Sequence, residues 1–388
     1  MLDASETIVA SHLKTTFAGR DIVLATWRGG SGRAPEEEAG EAYSALAATL
    51  RAEGCAPVQE RVFGDLAAAP AVARGRARAT GDGAEWAVPA TYVEGSPVGR
   101  PGLAGVHVVA VRGASRVVAE GERAYGRVVE GNGLRVLGLS DVGRRASSRL
   151  APGPAEDAAA AIDAAEELLA REGFSFRDVA RTWIYLRDIL DWYGPFNAVR
   201  NAAFRRMGLL GAGGDGKIPA STGIEGRNAR GGWCALDLLA LRPSDGGKLE
   251  VKRLHNRRQS EATDYGSAFA RATEVSTGGA RTIFVSGTAS IDDHGKSMHA
   301  GDFETQTRYT LDAVDALLDG AGSGLADVVQ ATAFLKNPCD GRSFDRLVER
   351  SPLRDVPLVT TVADVCRPEL LFEIDATVVV RPRRGARR

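Results

Sequence analysis

The sequence predicts an α/β (α+β) fold made of three β-α-β-β units, and three observations carry that reading. A short β-rich run followed by an amphipathic helix and a second apolar strand occurs three times. Each of the three helical patterns runs to a glycine. Each unit then continues through a proline-led segment into a long apolar strand. The units recur at intervals of roughly 85–150 residues, the size of a small domain.

The opening strands are IVLAT from Ile22, LRVLGL from Leu134 and TIFVSG from Thr282. In the first helix Tyr43, Leu46 and Leu50 share a face, with Pro35 and three glutamates placed for a helix start. The second helix runs from about Glu156 to Arg171, with Ile162, Leu168 and Leu169 inward. In the third, Leu311, Val314 and Leu318 recur at i, i+3 and i+7. The expected stops are Gly54, Gly173 and Gly320, and the second strands are ERVF at Glu60, RTWIYL at Arg181 and ATAFLK at Ala331. The units close with PATYVEG and VHVVAV, PASTGIEG and WCALDLLAL, and PLVTTVAD and LLFEIDATVVV. Boundaries are expected at 1–125, 126–245 and 260–382, with a basic tail over 383–388. The breaker-rich stretch 144–157 interrupts the second unit, and 242–260 reads as a charged linker.

Composition excludes several function classes. Of 388 residues, 44% are apolar and 26% charged, enough for real cores. With 49 Lys+Arg against 50 Asp+Glu, the net charge of −1 offers no electrostatic footprint for nucleic acid or an anionic membrane. No apolar run approaches the roughly 18 residues of a membrane span, and the N-terminal stretch lacks a secretory pattern. Four cysteines without CxxC spacing point to a reducing cytoplasm. The histidines (His12, His107, His255, His294, His299) never pair at metal-ligand spacing, so no metal and no cofactor are expected. GAGGDG over Gly211–Gly216 fits GxGxxG, but a helical pattern precedes it and Pro219 follows, so it reads as a loop. SHLK at Ser11 fits SxxK without its partner motifs.

The third unit, with VSGTASI, ATAFLK and CRPELLFEID, resembles the Rid (YjgF/UK114) superfamily, and the other two units resemble it less clearly. The resemblance implies a chorismate-mutase-like/YjgF fold: Rid-like modules around a barrel-like sheet core, helices outside, and ligand clefts between adjacent units. Three modules in one chain imply a pseudo-trimer, as a monomer or a homo-oligomer. The imine deaminases of the family carry an arginine after the proline of the penultimate strand. Here Pro89-Ala90-Thr91, Pro219-Ala220-Ser221 and Pro357-Leu358-Val359 supply none, and Ser, Thr or Val cannot replace a bidentate fork, so that activity is disfavoured.

A narrower resemblance is to the chorismatases, on RTWIYL, YGPFNAVR, PASTGI, YGSAFARA, SGTASI, HAGD and CRPELLFEID. It implies a cofactor-independent enzyme that splits chorismate, or a related carboxylated ring, into pyruvate and a hydroxybenzoate in secondary metabolism. The partner would be a small anionic cyclic carboxylate. Carried over position by position, the catalytic acid falls on Glu373, with Cys366 beside it; Cys366 together with Gly287 resembles the 3-hydroxybenzoate-forming type. Substrate-binding positions fall on Arg200, Tyr193, Tyr185, Tyr265, Arg271, Thr288 and His299, with Ser221, Thr222 and Gly223 as a carboxylate-binding turn. The residues read on their own leave alternatives open. Glu373, Asp375 and Thr377 share one strand face, which a solvated polar face would also show. Cys366 suits a small buried hydrophobe, Arg200 a helix-surface ion pair, the tyrosines core aromatics, and His299 a loop-ordering role before Asp302. Two rivals keep the fold: another acid-catalysed lyase, cyclase or hydrolase, and a non-catalytic ligand-binding or assembly module.

Overall fold

The computed structural model describes residues 7–10, 13–18, 22–29, 32–81, 84–143, 153–211, 216–277 and 280–380. The basic tail 383–388, residues 144–152 of the breaker-rich stretch, Ser11, His12 and the centre of the Gly211–Gly216 loop lie outside them.

Three six-stranded sheets follow one another along the chain. The first contains β1 (Thr7–Ala10), β2 (Leu13–Ala18), β3 (Ile22–Arg28), β4 (Cys55–Gly64), β5 (Thr91–Glu94) and β6 (Leu103–Arg112). The second contains β7 (Ala114–Glu120), β8 (Arg123–Gly131), β9 (Leu134–Val142), β10 (Val179–Leu186), β11 (Ala220–Glu225) and β12 (Cys234–Pro243). The third contains β13 (Leu249–Leu254), β14 (Ala272–Thr277), β15 (Ala280–Ala289), β16 (Val328–Leu335), β17 (Leu358–Val362) and β18 (Phe372–Val380). Within every sheet the spatial order is first, second, third, sixth, fourth, fifth strand. The shared order is the strongest mark of an internal threefold repeat.

Each unit therefore has more strands than the sequence pattern shows. A strand pairs antiparallel ahead of each opening strand, and the sheets divide the chain before β7 and before β13, earlier than the expected starts at 126 and 260. The stretch read as a linker over 242–260 contains β13, whose exposed Glu250 and Lys252 mark a solvent-facing edge rather than a break.

The long helices are α1 (Pro35–Ala52), α3 (Pro154–Arg171) and α5 (Phe303–Gly320); shorter or kinked helices α2 (Ala69–Thr80), α4 (Ile189–Arg206) and α6 (Gly341–Glu349) accompany them. Proline at the first turn and acidic residues beside it start α1 and α3. Asp302 caps α5, accepting from the Thr305 amide at 3.0 Å. Gly54 and Gly173 take the left-handed conformation after α1 and α3. After α5 that position is Gly322, while Gly320 is still helical, a shift from the expected stop.

Three separate cores lie between each sheet and its own helices, and a fourth draws on all three sheets, from Leu24 and Val109 through Trp183 and Leu239 to Phe284 and Val379. The sheets thus enclose a common interior with the helices outside. Cyclic backbone contacts tie the units together: the Glu94 amide donates to the Arg227 carbonyl, Glu225 to Asp364, and Val362 to Ser96. Among the described residues no helix is long and apolar enough to cross a membrane.

Candidate active site

The alternation of β18 decides the chemistry. Phe372, Ile374, Ala376 and Val378 pack outward against α5 and α6, so Glu373, Asp375 and Thr377 point into the space the sheets share. This polar face is buried, not solvated.

A cavity of about 200 Å³ opens where the second and third units meet. Its walls come from α4 and β11 on one side, and from β15, β18 and the segments preceding β14 and β18 on the other. The two units are sewn together there. The Ala270 amide donates to the Pro219 carbonyl at 2.9 Å, the Ser221 amide to Ser286 Oγ at 2.8 Å, and the Ala220 amide to Thr273 Oγ1 at 3.0 Å.

Nine of the expected site residues line this cavity: Tyr193, Arg200, Ser221, Gly223, Tyr265, Arg271, Gly287, Cys366 and Glu373. Tyr193 and Arg200 share a face of α4 with Asn197, at spacings of four and three residues. Arg200 is 1% exposed, donates from Nη2 to Asn197 Oδ1 at 2.6 Å, and rests 5.1 Å and 5.5 Å from the Phe196 and Phe269 rings. It makes no ion pair among the described residues, so the surface-pair alternative does not hold. Its Nε is buried without a partner, and burial pulls its proton affinity down. Arg271 is also buried and donates from Nε to the Ser260 carbonyl at 2.9 Å, and it has no carboxylate partner among the described residues.

Glu373 is 4% exposed. Burial, reinforced by the neighbouring Asp375 carboxylate and opposed by Arg181, pushes its carboxyl up to about 8. Space for it comes from β15, where Ser286 and Gly287 form a bulge opposite a single residue of β18. A Cβ on Gly287 would collide with Glu373 Oε1 and lie 3.0 Å from its Cδ, so glycine here makes room for the acid. Cys366, on the loop before β18, has its thiol pushed up to about 12 by burial and the nearby Glu373, and stays protonated. Burial likewise raises the Tyr193 and Tyr265 hydroxyls.

Four expected residues lie elsewhere. Tyr185 is a core aromatic packed against Phe63 in the shared interior. Thr222 turns to the other side of β11, donating to Asp375 Oδ2 at 2.9 Å. Thr288 bonds the Ser286 carbonyl at 2.9 Å and supports the bulge. His299 is exposed, with φ of 56°, and its carbonyl accepts from the Asp302 amide at 3.0 Å; it orders the loop before α5. Ser221–Gly223 forms extended backbone within β11 rather than a turn. Conversely, Asn197, Ser267, Phe269, Ala289, Ile291 and Arg367 line the cavity without having been singled out. All six lie inside the motifs YGPFNAVR, YGSAFARA, SGTASI and CRPELLFEID, and Asn197 also stands one helical turn from Arg200.

The site thus gathers a protonated carboxyl, two guanidiniums lacking carboxylate partners, and aromatic walls. Such a set suits a small anionic ring and proton donation to it.

The chain is similar to several known proteins. The Ribonuc_L-PSP (endoribonuclease L-PSP) family matches residues 267–380. The 3-hydroxybenzoate synthase of Streptomyces hygroscopicus is 30% identical over 235 residues, 54% of this chain and 65% of that protein, so the match spans a little under two thirds of the relative. A RutC family protein of Sulfurisphaera tokodaii is 39% identical over 95 residues, 24% of this chain and 75% of its own. A chorismatase crystal structure superposes with a TM-score of 0.60 at 21% identity, over 83% of this chain and 93% of that one, and shares its fold.

Proposed function

The chain belongs to the Rid (YjgF/UK114) superfamily as a chorismatase-like member, and from that premise we propose that it is a cofactor-independent enzyme cleaving the enolpyruvyl ether of chorismate, or of a related carboxylated ring. The products are pyruvate and a hydroxybenzoate, with 3-hydroxybenzoate favoured by the pair Cys366 and Gly287. The observation that carries the proposal is Glu373, a buried carboxyl held protonated to about pH 8 in a cavity with the unpaired Arg200 and Arg271.

In this reading the two guanidiniums take the substrate carboxylates by charge-assisted hydrogen bonds. Glu373 gives its proton to the enolpyruvyl methylene carbon, whose double-bond electrons form the new C–H bond and leave an oxocarbenium ion. The ring carbon–oxygen bond then breaks with its electrons going to the oxygen, which gives the pyruvate carbonyl. The neighbouring ring hydroxyl takes the electron-poor ring carbon, and a ring proton returned to the Glu373 carboxylate restores the acid and the aromatic ring. With 3-hydroxybenzoate as the ring product the atoms balance without water, and the aromatic and thiol walls of Tyr193, Phe269 and Cys366 favour that outcome over capture by solvent.

Three units of one polypeptide stand in for the three subunits of a trimer, with one working cleft between the second and third units. Four cysteines without CxxC spacing suit a reducing cytoplasm. Incubating the pure protein with chorismate and following pyruvate tests the reaction. Release that falls away as pH rises through about 8, and is lost in Glu373→Gln, is expected. No pyruvate between pH 5 and 8 would overturn the proposal.

A further inference from the structure

Behind the cavity wall β18 carries a second buried carboxylate. Asp375 lies two residues beyond Glu373 on the same side of the strand and is 3% exposed. Arg181 of β10 pairs with it, Nη2 to Oδ2 at 3.0 Å, and Thr222 donates to the same oxygen at 2.9 Å. Arg181 is itself fixed from several directions. Its Nη2 also donates to Thr222 Oγ1 at 2.5 Å, and its guanidinium lies 4.6 Å from the Trp183 ring. Arg61 of the first unit lies 4.1 Å from that same ring and donates to Gln330 Oε1 at 3.1 Å. Asp375, Arg181 and Thr222 do not line the cavity.

We propose that Asp375 and Arg181 are positioning residues for the acid: Arg181 and Thr222 fix the Asp375 carboxylate behind Glu373, and its presence there keeps Glu373 in its protonated, proton-donating form. The inference rests on reading Glu373 as the acid of the proposed reaction. Two carboxyls this close in a low-dielectric interior do not both ionise readily. Asp375 accepts from a guanidinium and a hydroxyl, whereas no hydrogen bond reaches Glu373 among the described residues. The proton therefore stays on Glu373. Of the other groups facing it, Tyr193, Tyr265 and Cys366 are neutral, their hydroxyls and thiol raised by burial. Arg200, Arg271 and Arg367 line the same cavity and favour the ionised carboxylate. Asp375 offsets them until substrate carboxylates arrive.

The test reads Glu373 directly, without turnover. The protonated-carboxyl stretch is followed against pH by difference infrared spectroscopy, with Glu373→Gln as the blank. Asp375→Asn is expected to lower the titration point of Glu373 by at least one pH unit, and the alkaline fall in kcat moves with it. Arg181→Lys, which keeps the charge, is expected to titrate as the parent does. Should Asp375→Asn not fold, the Arg181→Met/Asp375→Asn double variant leaves neither charge unpaired. It is expected to titrate below the parent as well, because Asp375 stands two residues from Glu373 on one strand face, whereas Arg181 comes from another strand and binds Asp375. Coincident titrations of the parent and the folded variants lacking Asp375 would overturn the positioning role. Failure to consume chorismate with the carboxyl shift intact would instead sink the reaction and leave this inference standing.

Discussion

Replacing Glu373 by Gln should make the protein more stable at alkaline pH, and the size of the gain follows from the burial of this one carboxyl. In the unfolded chain Glu373 loses its proton near the ordinary 4.5, whereas in the fold it keeps the proton to about 8. Between those values the folded state binds more protons than the unfolded state, so the contribution of Glu373 to stability falls as pH rises. Below 4.5 the contribution is fully present, and above about 8 it has been lost. The proton-affinity difference corresponds to on the order of 4–5 kcal/mol. Glutamine keeps the shape and cannot ionise, so Glu373→Gln escapes the loss. Urea denaturation of both proteins at pH 5 and pH 9 measures it: the advantage of the variant over the parent should grow by several kcal/mol between the two. An advantage that is flat with pH, or that shrinks, would mean that Glu373 ionises normally in the fold, and the acid reading would fall with it.

Further outcomes follow from the same geometry. Gly287→Ala places a methyl against Glu373 Oε1 and displaces the acid, so kcat should fall by roughly 10²-fold with a smaller change in KM; steady-state kinetics showing parental kcat would refute the close fit. Arg200→Met removes a charge-assisted contact of ~1.5–3 kcal/mol, and KM should rise about 10- to 100-fold. Unchanged KM would remove Arg200 from substrate binding. At pH 8 a thiol titrating near 12 is ionised in roughly one part in ten thousand, so iodoacetamide followed by mass spectrometry should label the exposed Cys339 and spare Cys366. Rapid labelling of Cys366 would contradict its raised thiol.

Much of the framework is legible in the chain. Helix starts such as Pro35 with its glutamates, and the alternation of LFEIDATV, are written in local chemistry. The edge strands β7 and β13 were not legible, because an edge strand carries charges on the side that faces water and reads like a linker. Arg200, Arg271 and Glu373 were found by motif, while Arg181 passed as one polar residue in a strand. Its partner Asp375 lies 194 residues away, and no local pattern signals such a pair.

By itself the sequence determined that Glu373 and Asp375 share one face of a strand and that apolar residues fill the other, since successive strand residues alternate sides. It did not determine what covers the polar face. Water would have left two ordinary carboxylates. The tertiary structure instead sets the second unit against it, so that burial raises the proton affinity of Glu373 while Asp375 pairs with Arg181. Local pattern fixes which way side chains point, but the proton affinity of a carboxyl depends on the dielectric and charges around it, and those come from residues distant in the chain.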